Sequence, residues 1–501
     1  MSLLPASDRA AVHRRVSRRL KRGARFPTAA IVCALTTACA TNPATGKREF
    51  SLMSEDQEIQ IGQSQDAQVR KEMGVYGDRE LQQYVSAIGL RLAQVSDRPN
   101  LPWHFTIVDV PAVNAFALPG GYIYITRGIM PFLQDEAQLA GVLGHEIGHV
   151  TARHASQQYS RSTGAEIGLI LGSIFVPATR PFAQLGESGL GLLMLKYSRD
   201  DEAQADGLGV KYASRAGWDP GGIPQMLTTL GRIEEASDNK GVPNWLQTHP
   251  AAEDRVQRVQ AAVREAEQGA DRFKTDHEAY LRRIDGIVYG DNPDQGIVRG
   301  ATFLHANLRF AIEFPSGWDV TNSAAQVVAK EPGERSLMLL QLVERPVGRT
   351  IEDVALQSMQ TAGFRPLNGR RTTINGLDAF VGTYAGTLQN LGRAGIRAAH
   401  VVHNRSVFLI AGIAPEQSYA RVEPIFGKSL ESFRPISGGE AESIHPNRID
   451  LYTARPGDTW QAIAERAGKG IVKASTLAIM NGHAVNDQPR AGERLKIVVA
   501  G

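Results

Sequence analysis

After Asp78 the apolar residues Leu81, Tyr84, Val85, Ile88 and Leu92 recur every three or four positions, the spacing of a helix that buries one face. An earlier helix is predicted from Ser54, because Ser54 and Gln57 are spaced as a capping box. The period then shortens. "WHFTIVDV" and "GYIYIT" read as strands around the turn "LPGG". Helical spacing returns near Asp135 and continues in segments to about Arg283. The turn-rich "YGDNPDQG" marks a linker. Beyond it "LRFAIEF", "SLMLLQLV" and "SVFLIAGIA" read as strands, with a helix around Ile351–Ala362. This predicts a separate small α+β domain over residues 297–436. A second boundary falls in "ISGGEAESIHPN", and a short unit, residues 449–499, closes the chain. The apolar stretch "IGLILGSIFVPA", residues 167–178, ends at Pro177 and is shorter than the roughly 20 residues a membrane-spanning helix needs. It reads as a core or lid helix. No repeat of solenoid length is present.

Composition narrows the class. The 501 residues, 42% hydrophobic and 21% charged, are those of ordinary soluble protein with room for several domains. The net charge of +3 is concentrated at the start, where the first 25 residues hold eight Arg or Lys against Asp8 alone. Residues 26–38 are uncharged, so a chain beginning at Cys39 carries −4 and has no general attraction for nucleic acid or anionic lipid. The basic "RRVSRRLKRGAR" followed by the apolar "FPTAAIVCALTTACA" has the layout of a secretory signal, residues 1–38. Its end, "LTTAC", resembles a relaxed bacterial lipoprotein box. That resemblance implies cleavage before Cys39, acylation of its thiol, and a tether over 39–53. Because Ala40 is not aspartate, the expected location is the periplasmic face of the outer membrane, with a soluble periplasmic protein as the alternative. Only Cys33 and Cys39 exist, and loss of the signal removes the first, so no internal disulfide is expected.

The chemistry lies in "GVLGHEIGHVTARH". His145 and His149 are four apart and emerge on one helical face, one turn from each other. Two imidazoles so placed reach a common Zn²⁺, and Glu146 then lies where it can take a proton from water on the metal. Gly144 and Gly148 are poor helix formers, which suggests close packing against another element. Alanine occupies 152 and 155, so the pattern of three histidines on one helix is missing, and His154 points off the ligand face towards the surface or a supporting position. A third ligand is offered by "YSRDDEAQADGLG", where Glu202 and Asp206 are again four apart. Glu202 would complete a His₂Glu site with an open fourth position, and Asp206 would fix the tautomer of a ligating histidine.

Taken together, "HEIGH", "SRDDEAQAD", "NAFALPGGYIYITRG" and "THPAAEDR" resemble the signatures of one zinc peptidase family. This is peptidase family M-forty-eight (HtpX-like and BepA-like gluzincin endopeptidases). The resemblance runs over residues 54–285. It implies a mainly α (α+β) gluzincin fold, one zinc per chain on His145, His149 and Glu202, and Glu146 as catalytic base. It also implies an edge strand for substrate near Asn114, Gly120 and Gly121, and a cleft position for His249, supported by Arg255. His249 would either stabilise the oxyanion or close the zinc at rest. The closing unit, with "YTARPGDTWQAIAERAG", "LAIMNG" and "QPRAGERLKIVV", resembles a LysM module. That likeness implies a βααβ fold and peptidoglycan binding. Its landmarks are Gly457, Asp458, Thr459, Asn481 and Gly492.

The expectation is a multidomain envelope endopeptidase acting on misfolded or stalled envelope proteins. Two other readings stay open: an assembly or chaperone-like factor with a mostly latent site, and a peptidoglycan-tethered scaffold.

Overall fold

The computed structural model describes residues 39–50 apart from 45 and 47, then 53–165, 197–236, Trp245, His249, 255–268, 273–388 and 391–501. The signal segment before Cys39 and the apolar stretch 167–178 lie outside the described residues.

The described residues open with a hairpin, β1 (Cys39–Thr41) antiparallel to β2 (Arg48–Phe50). Between these strands Asn42 is buried, and its Nδ2 donates to Ala152 O at 3.2 Å. Helix α1 (Glu55–Met73) starts in the predicted capping box, with Ser54 and Gln57 satisfying each other's backbone N–H groups. Helix α2 (Arg79–Gln94) is capped by Asp78 and buries Leu81, Val85, Ile88 and Leu92, the predicted stripe. A three-stranded sheet follows, ordered β3 (His104–Val108), β5 (Tyr122–Thr126), β4 (Ala115–Leu118). β3 is parallel and β4 antiparallel to the central β5, which leaves β4 at an edge.

Helix α3 (Glu136–Thr151) carries the histidine motif and is buried along its whole length. Asp135 caps it by accepting from Gln138 N. Around it stand α4 (His154–Ala165), α5 (Arg199–Arg215), α6 (Gly222–Ala236), α7 (Arg255–Glu267) and α8 (His277–Ile284).

The region from 297 to 436 contains a seven-stranded antiparallel sheet, in which Leu337–Leu342 and Ser406–Pro415 are central neighbours. Alternation sorts its strands onto two cores. Met338 and Leu340 face Val422 and Phe426 of the helix Glu416–Glu431, whereas Leu337 and Leu339 join Met359 of the helix Ile351–Thr361. The sequence pattern located the apolar central strands but not Arg365–Ile374, whose mostly exposed positions lack an alternating face.

The closing unit runs strand Asn447–Thr453, helix Trp460–Gly468, helix Ala474–Met480, strand Arg494–Val499. Thr459 caps the first helix, and Gly457 and Gly492 take positive φ at 84° and 85°. Asn481 donates to Leu477 O and Lys496 O and accepts from Lys496 N, fastening helix to strand. This unit is not held at arm's length. The strand Val288–Tyr289 extends its sheet, and Ile449, Trp460, Leu477 and Ile497 share one hydrophobic core with Leu133, Leu139 and Ile223. Among the described residues no helix is long and apolar enough to cross a membrane.

Candidate metal centre

Two helices must approach closely for a ligand pair on one to meet a carboxylate on the other. The glycines of α3 allow this. A Cβ at Gly148 would lie 2.9 Å from Ala205 O, and one at Gly144 would lie 3.3 Å from Gly209 Cα. α5 therefore rests backbone to backbone on α3, and Glu202 is delivered to the histidine face.

There His145, His149, Glu202 and His249 each offer a ligand atom, all within 4.8 Å of one another and all buried. The Nε2 atoms of His145 and His149 are 3.0 Å apart. Glu202 Oε2 is 3.7 Å from His145 Nε2, and its Oε1 is 3.5 Å from His149 Nε2. Among the described residues neither Glu202 oxygen accepts a hydrogen bond of ordinary geometry, although Oε2 lies 2.8 Å from Arg255 Nη2. A buried carboxylate in that condition is costly unless something else neutralises it. Two imidazole nitrogens and a carboxylate are a donor set that suits a divalent transition metal, and the residues present fit one.

Asp206 fixes the frame. His145 Nδ1 donates to its Oδ1 at 2.9 Å, which turns the Nε2 lone pair into the cluster. Arg255 grips Asp206 with Nε to Oδ2 at 2.7 Å and Nη2 to Oδ1 at 2.9 Å. Burial alone would raise the Asp206 carboxyl, but the bonds from Arg255 and His145 hold it well below the usual range. The ligand set behaves oppositely. Burial lowers the pKa of His145, against the pull of Asp206, and takes His149 and His249 well down. It also raises Glu202 well above the ordinary carboxyl value. Three imidazoles kept neutral and accepting suit metal ligation, and a dication beside Glu202 favours its carboxylate form.

Glu146 faces the same space. Burial pushes its carboxyl up to about 8, with the Trp245 indole and Arg255 acting against the rise. His249 Nε2 lies 3.6 Å from Glu146 Oε1. A dication in the donor cluster would favour the carboxylate form of Glu146, and its position beside the ligands suits a general base.

The sequence-predicted residues thus gather as one constellation: His145, Glu146, His149, Glu202, Asp206, His249 and Arg255. The edge-strand residues lie to one side. Asn114 sits just before β4, its N–H bonded to Thr126 Oγ1 at 3.0 Å, while its buried Oδ1 has no hydrogen-bond partner among the described residues. Gly120 and Gly121 take φ of 81° and 98° in the turn after β4, and a Cβ on Gly120 would strike the α1 backbone at Ile59. Cys39 is in the β1–β2 hairpin.

Several residues escaped the sequence reading. Tyr197 stacks on the His149 ring at 3.9 Å, and Trp245 stacks on His249 at 4.6 Å with planes 9° apart. Trp245 precedes His249 by four residues, and that spacing was the available signal. His154 is buried rather than on the surface, its Nδ1 2.9 Å from His149 Nδ1, so it takes the supporting position that was its other expected place.

Comparison with known proteins agrees with this geometry. Residues 79–263 match Peptidase family M48. The chain is 31% identical over 224 residues to the beta-barrel assembly-enhancing protease of Escherichia coli (strain K12), covering 43% of this chain and 46% of that one. The Yersinia pestis protein of the same name matches at 31%, covering 43% and 45%. The chain thus spans about half the length of these bacterial relatives. The mitochondrial metalloendopeptidase OMA1 of Schizosaccharomyces pombe (strain 972 / ATCC 24843) is 30% identical over 248 residues, covering 48% of this chain. That alignment takes in 70% of the yeast protein, and the family match over residues 79–263 spans both helices of the buried cluster, so this chain belongs to Peptidase family M48.

Proposed function

We propose that the chain is a zinc-dependent endopeptidase that cleaves misfolded or stalled proteins of the bacterial envelope. The observation that carries this is the convergence of ligand atoms of His145, His149 and Glu202 with Glu146 buried beside them. His145, His149 and Glu202 would hold zinc, which when bound would supply Lewis acidity towards the scissile carbonyl and the attacking water. Glu146 takes the proton of that water as its oxygen bonds to the carbonyl carbon, and then passes the proton to the departing amine. Asp206 and Arg255 keep the His145 ring in one tautomer while this happens. Substrate backbone pairs with the outer edge of β4, so main-chain bonds hold it and side chains stay variable. Asn114, with an acceptor oxygen to spare, lies at the start of that edge.

The test compares wild type with Glu146→Gln on unfolded envelope proteins. The variant keeps its fold and zinc but loses at least about 10²-fold in rate. Equal turnover overturns the mechanism.

A second reading, a mostly latent assembly factor, is favoured by one observation: His249 reaches the donor cluster as a fourth ligand candidate. In this reading His249 closes the site at rest and substrate displaces it. The envelope assignment rests on the lipoprotein-like "LTTAC" before Ala40 and on the relatives' printed names. Labelled fatty acid entering wild type but not Cys39→Ser supports anchoring, and fractionation with the inner membrane counts against the outer-membrane location. Peptidoglycan binding through residues 449–499 belongs to the same proposal, and a pull-down on purified sacculi tests it.

A further inference from the structure

His154 holds a place that an unbroken helix would deny it. At about 100° per residue, the fifth residue after His149 lies about 140° round the helix axis from it. Helix α3 stops at Thr151, however, and Arg153 takes φ of 61°, a left-handed conformation unfavourable for a residue with a Cβ. Buried bonds sustain it: Arg153 Nε donates to Glu58 Oε1 at 2.7 Å, and its Nη2 donates to Met53 O at 2.6 Å. The chain turns there and α4 begins, which returns the buried His154 ring to within 4.9 Å of the His149 ring, planes 74° apart.

The far side of the His154 ring decides where the hydrogens lie. His154 Nε2 faces two oxygens of α5, Gln204 Oε1 at 2.9 Å and Asp201 Oδ1 at 3.7 Å. Asp201 is itself fixed by its capping box with Ser198. A ring nitrogen facing acceptors carries the hydrogen, which leaves Nδ1 of the neutral ring with its lone pair.

That lone pair lies 2.9 Å from His149 Nδ1, which is then the donor. The His149 lone pair is thereby left on Nε2, the atom 3.0 Å from His145 Nε2 in the donor cluster. The reverse tautomer of His149 would aim an N–H at the ligand position and set two lone pairs against each other between the rings. The two ligand histidines thus have unlike supports. His145 leans on a carboxylate gripped by Arg255, and His149 leans on a second imidazole.

We propose that His154 is the positioning residue of His149: through one imidazole–imidazole hydrogen bond, anchored on Gln204 and Asp201, it presents His149 Nε2 as a metal ligand. This rests on the reading of His145, His149 and Glu202 as the ligand set. Helix α5 then serves the site three times over, with Glu202 as a ligand, Asp206 supporting His145, and Asp201 with Gln204 supporting His149 through His154.

Zinc affinity of the full chain, measured by competition with a chelating dye, tests it in two variants. His154→Leu keeps the bulk but offers no acceptor, and affinity should fall about 10–100-fold, the usual loss when such a partner is removed. His154→Asn puts an amide oxygen near the place of Nδ1 and should recover most of that loss. A packing role alone predicts the opposite order, because leucine fills an apolar space better than asparagine does. Unchanged affinity in His154→Leu, or an asparagine variant as weak as the leucine one, overturns the proposal. Should the variants fail to fold, NMR of zinc-loaded wild type with ¹⁵N-labelled histidine decides. His149 should carry its hydrogen on Nδ1 and His154 on Nε2, and the opposite tautomer at either ring overturns the relay. Wild type that binds no zinc, or zinc retained when His145, His149 and Glu202 are all alanine, overturns the ligand set and this inference with it. Zinc bound through those three residues but indifferent to His154→Leu overturns only the role of His154.

Discussion

Helix α3 has buried charge beyond both its middle and its start, and the two places are built differently. At the candidate metal centre His145, His149, Glu202 and His249 converge with acceptor atoms turned towards one another. At the other end Lys496, from the closing unit, is buried against the residues that lead into the helix. Its Nζ donates to Leu133 O at 2.6 Å and Gln134 Oε1 at 2.9 Å. The first arrangement is incomplete as protein alone and fits a dication. In the second, donor meets acceptor and the contact closes a seam between two units. Buried polarity therefore signals function where donors of one kind accumulate, and architecture where donors and acceptors match.

The largest effect that would sharpen this contrast comes from the ligands. Replacing His145, His149 and Glu202 by alanine should take zinc from one per chain to none and peptidase activity to background, while Lys496→Met leaves the zinc count unchanged. Elemental analysis of the purified proteins reads both. Stoichiometric zinc in the triple variant would show that the metal sits elsewhere.

Next in size is the support of the ligands. Asp206→Asn keeps the shape but weakens the acceptor for His145 Nδ1–H and unbalances Arg255. Zinc affinity should fall about 10–100-fold, the usual loss when such a partner is removed. A competition titration with a chelating dye measures it. An unchanged affinity would mean that the Asp206–Arg255 pair serves only to hold α5 to α7.

His249 gives a smaller change with an informative sign. If it closes the site at rest, His249→Ala raises the basal rate on an unfolded substrate several-fold and increases self-cleavage. If it is instead an oxyanion donor, the rate falls by roughly 10²–10³-fold. We expect the rise, because its imidazole already lies within the donor set.

These residues show what the sequence made legible. The four-residue spacings of His145 with His149 and Glu202 with Asp206 follow from helix geometry, and both pairs stand where that geometry puts them. Capping boxes at Ser54 and the cap at Asp78 were readable because they are local. What was not readable depends on contacts far apart in the chain. Nothing near Arg127 shows that its guanidinium will bind Val288 O and Gly290 O. Nothing near Glu58 announces that Arg98 and Arg153 will meet on it. Likewise "QPRAGERLKIVV" announces a strand, but not that its lysine will be buried on the peptidase region. Gly144 and Gly148 lie between these cases: their oddity in a helix was visible, and only the fold supplied the partner, α5.

The smallest expected effect lies at the seam itself. Burial takes the Lys496 amine down from its ordinary value to about 7, with Asp135 the charged group pulling the other way. Asp135 is itself nearly buried, and burial raises its carboxyl. His277 completes the surroundings, its Nδ1 2.7 Å from Gln134 O. Between about 7 and the ordinary lysine value near 10.4, the unfolded chain holds the proton and the folded chain has released it. The unfolded state then binds more protons, so this group makes stability rise with pH across that window. Below about pH 7 both states are protonated, and the cost of burying the charge is present in full. The slope is at most about 1.4 kcal/mol per pH unit. In a chain of several units this amounts to no more than a few degrees of melting temperature, on the order expected for larger domains. Wild type should therefore gain on Lys496→Met as pH is raised from 7.5 to 9.5, with the variant flat apart from the background both share. Parallel curves would mean that the amine stays charged in the fold, held by Leu133 O, Gln134 and Asp135 as an ordinary ion pair network, and the contrast with the metal centre would then be one of composition alone.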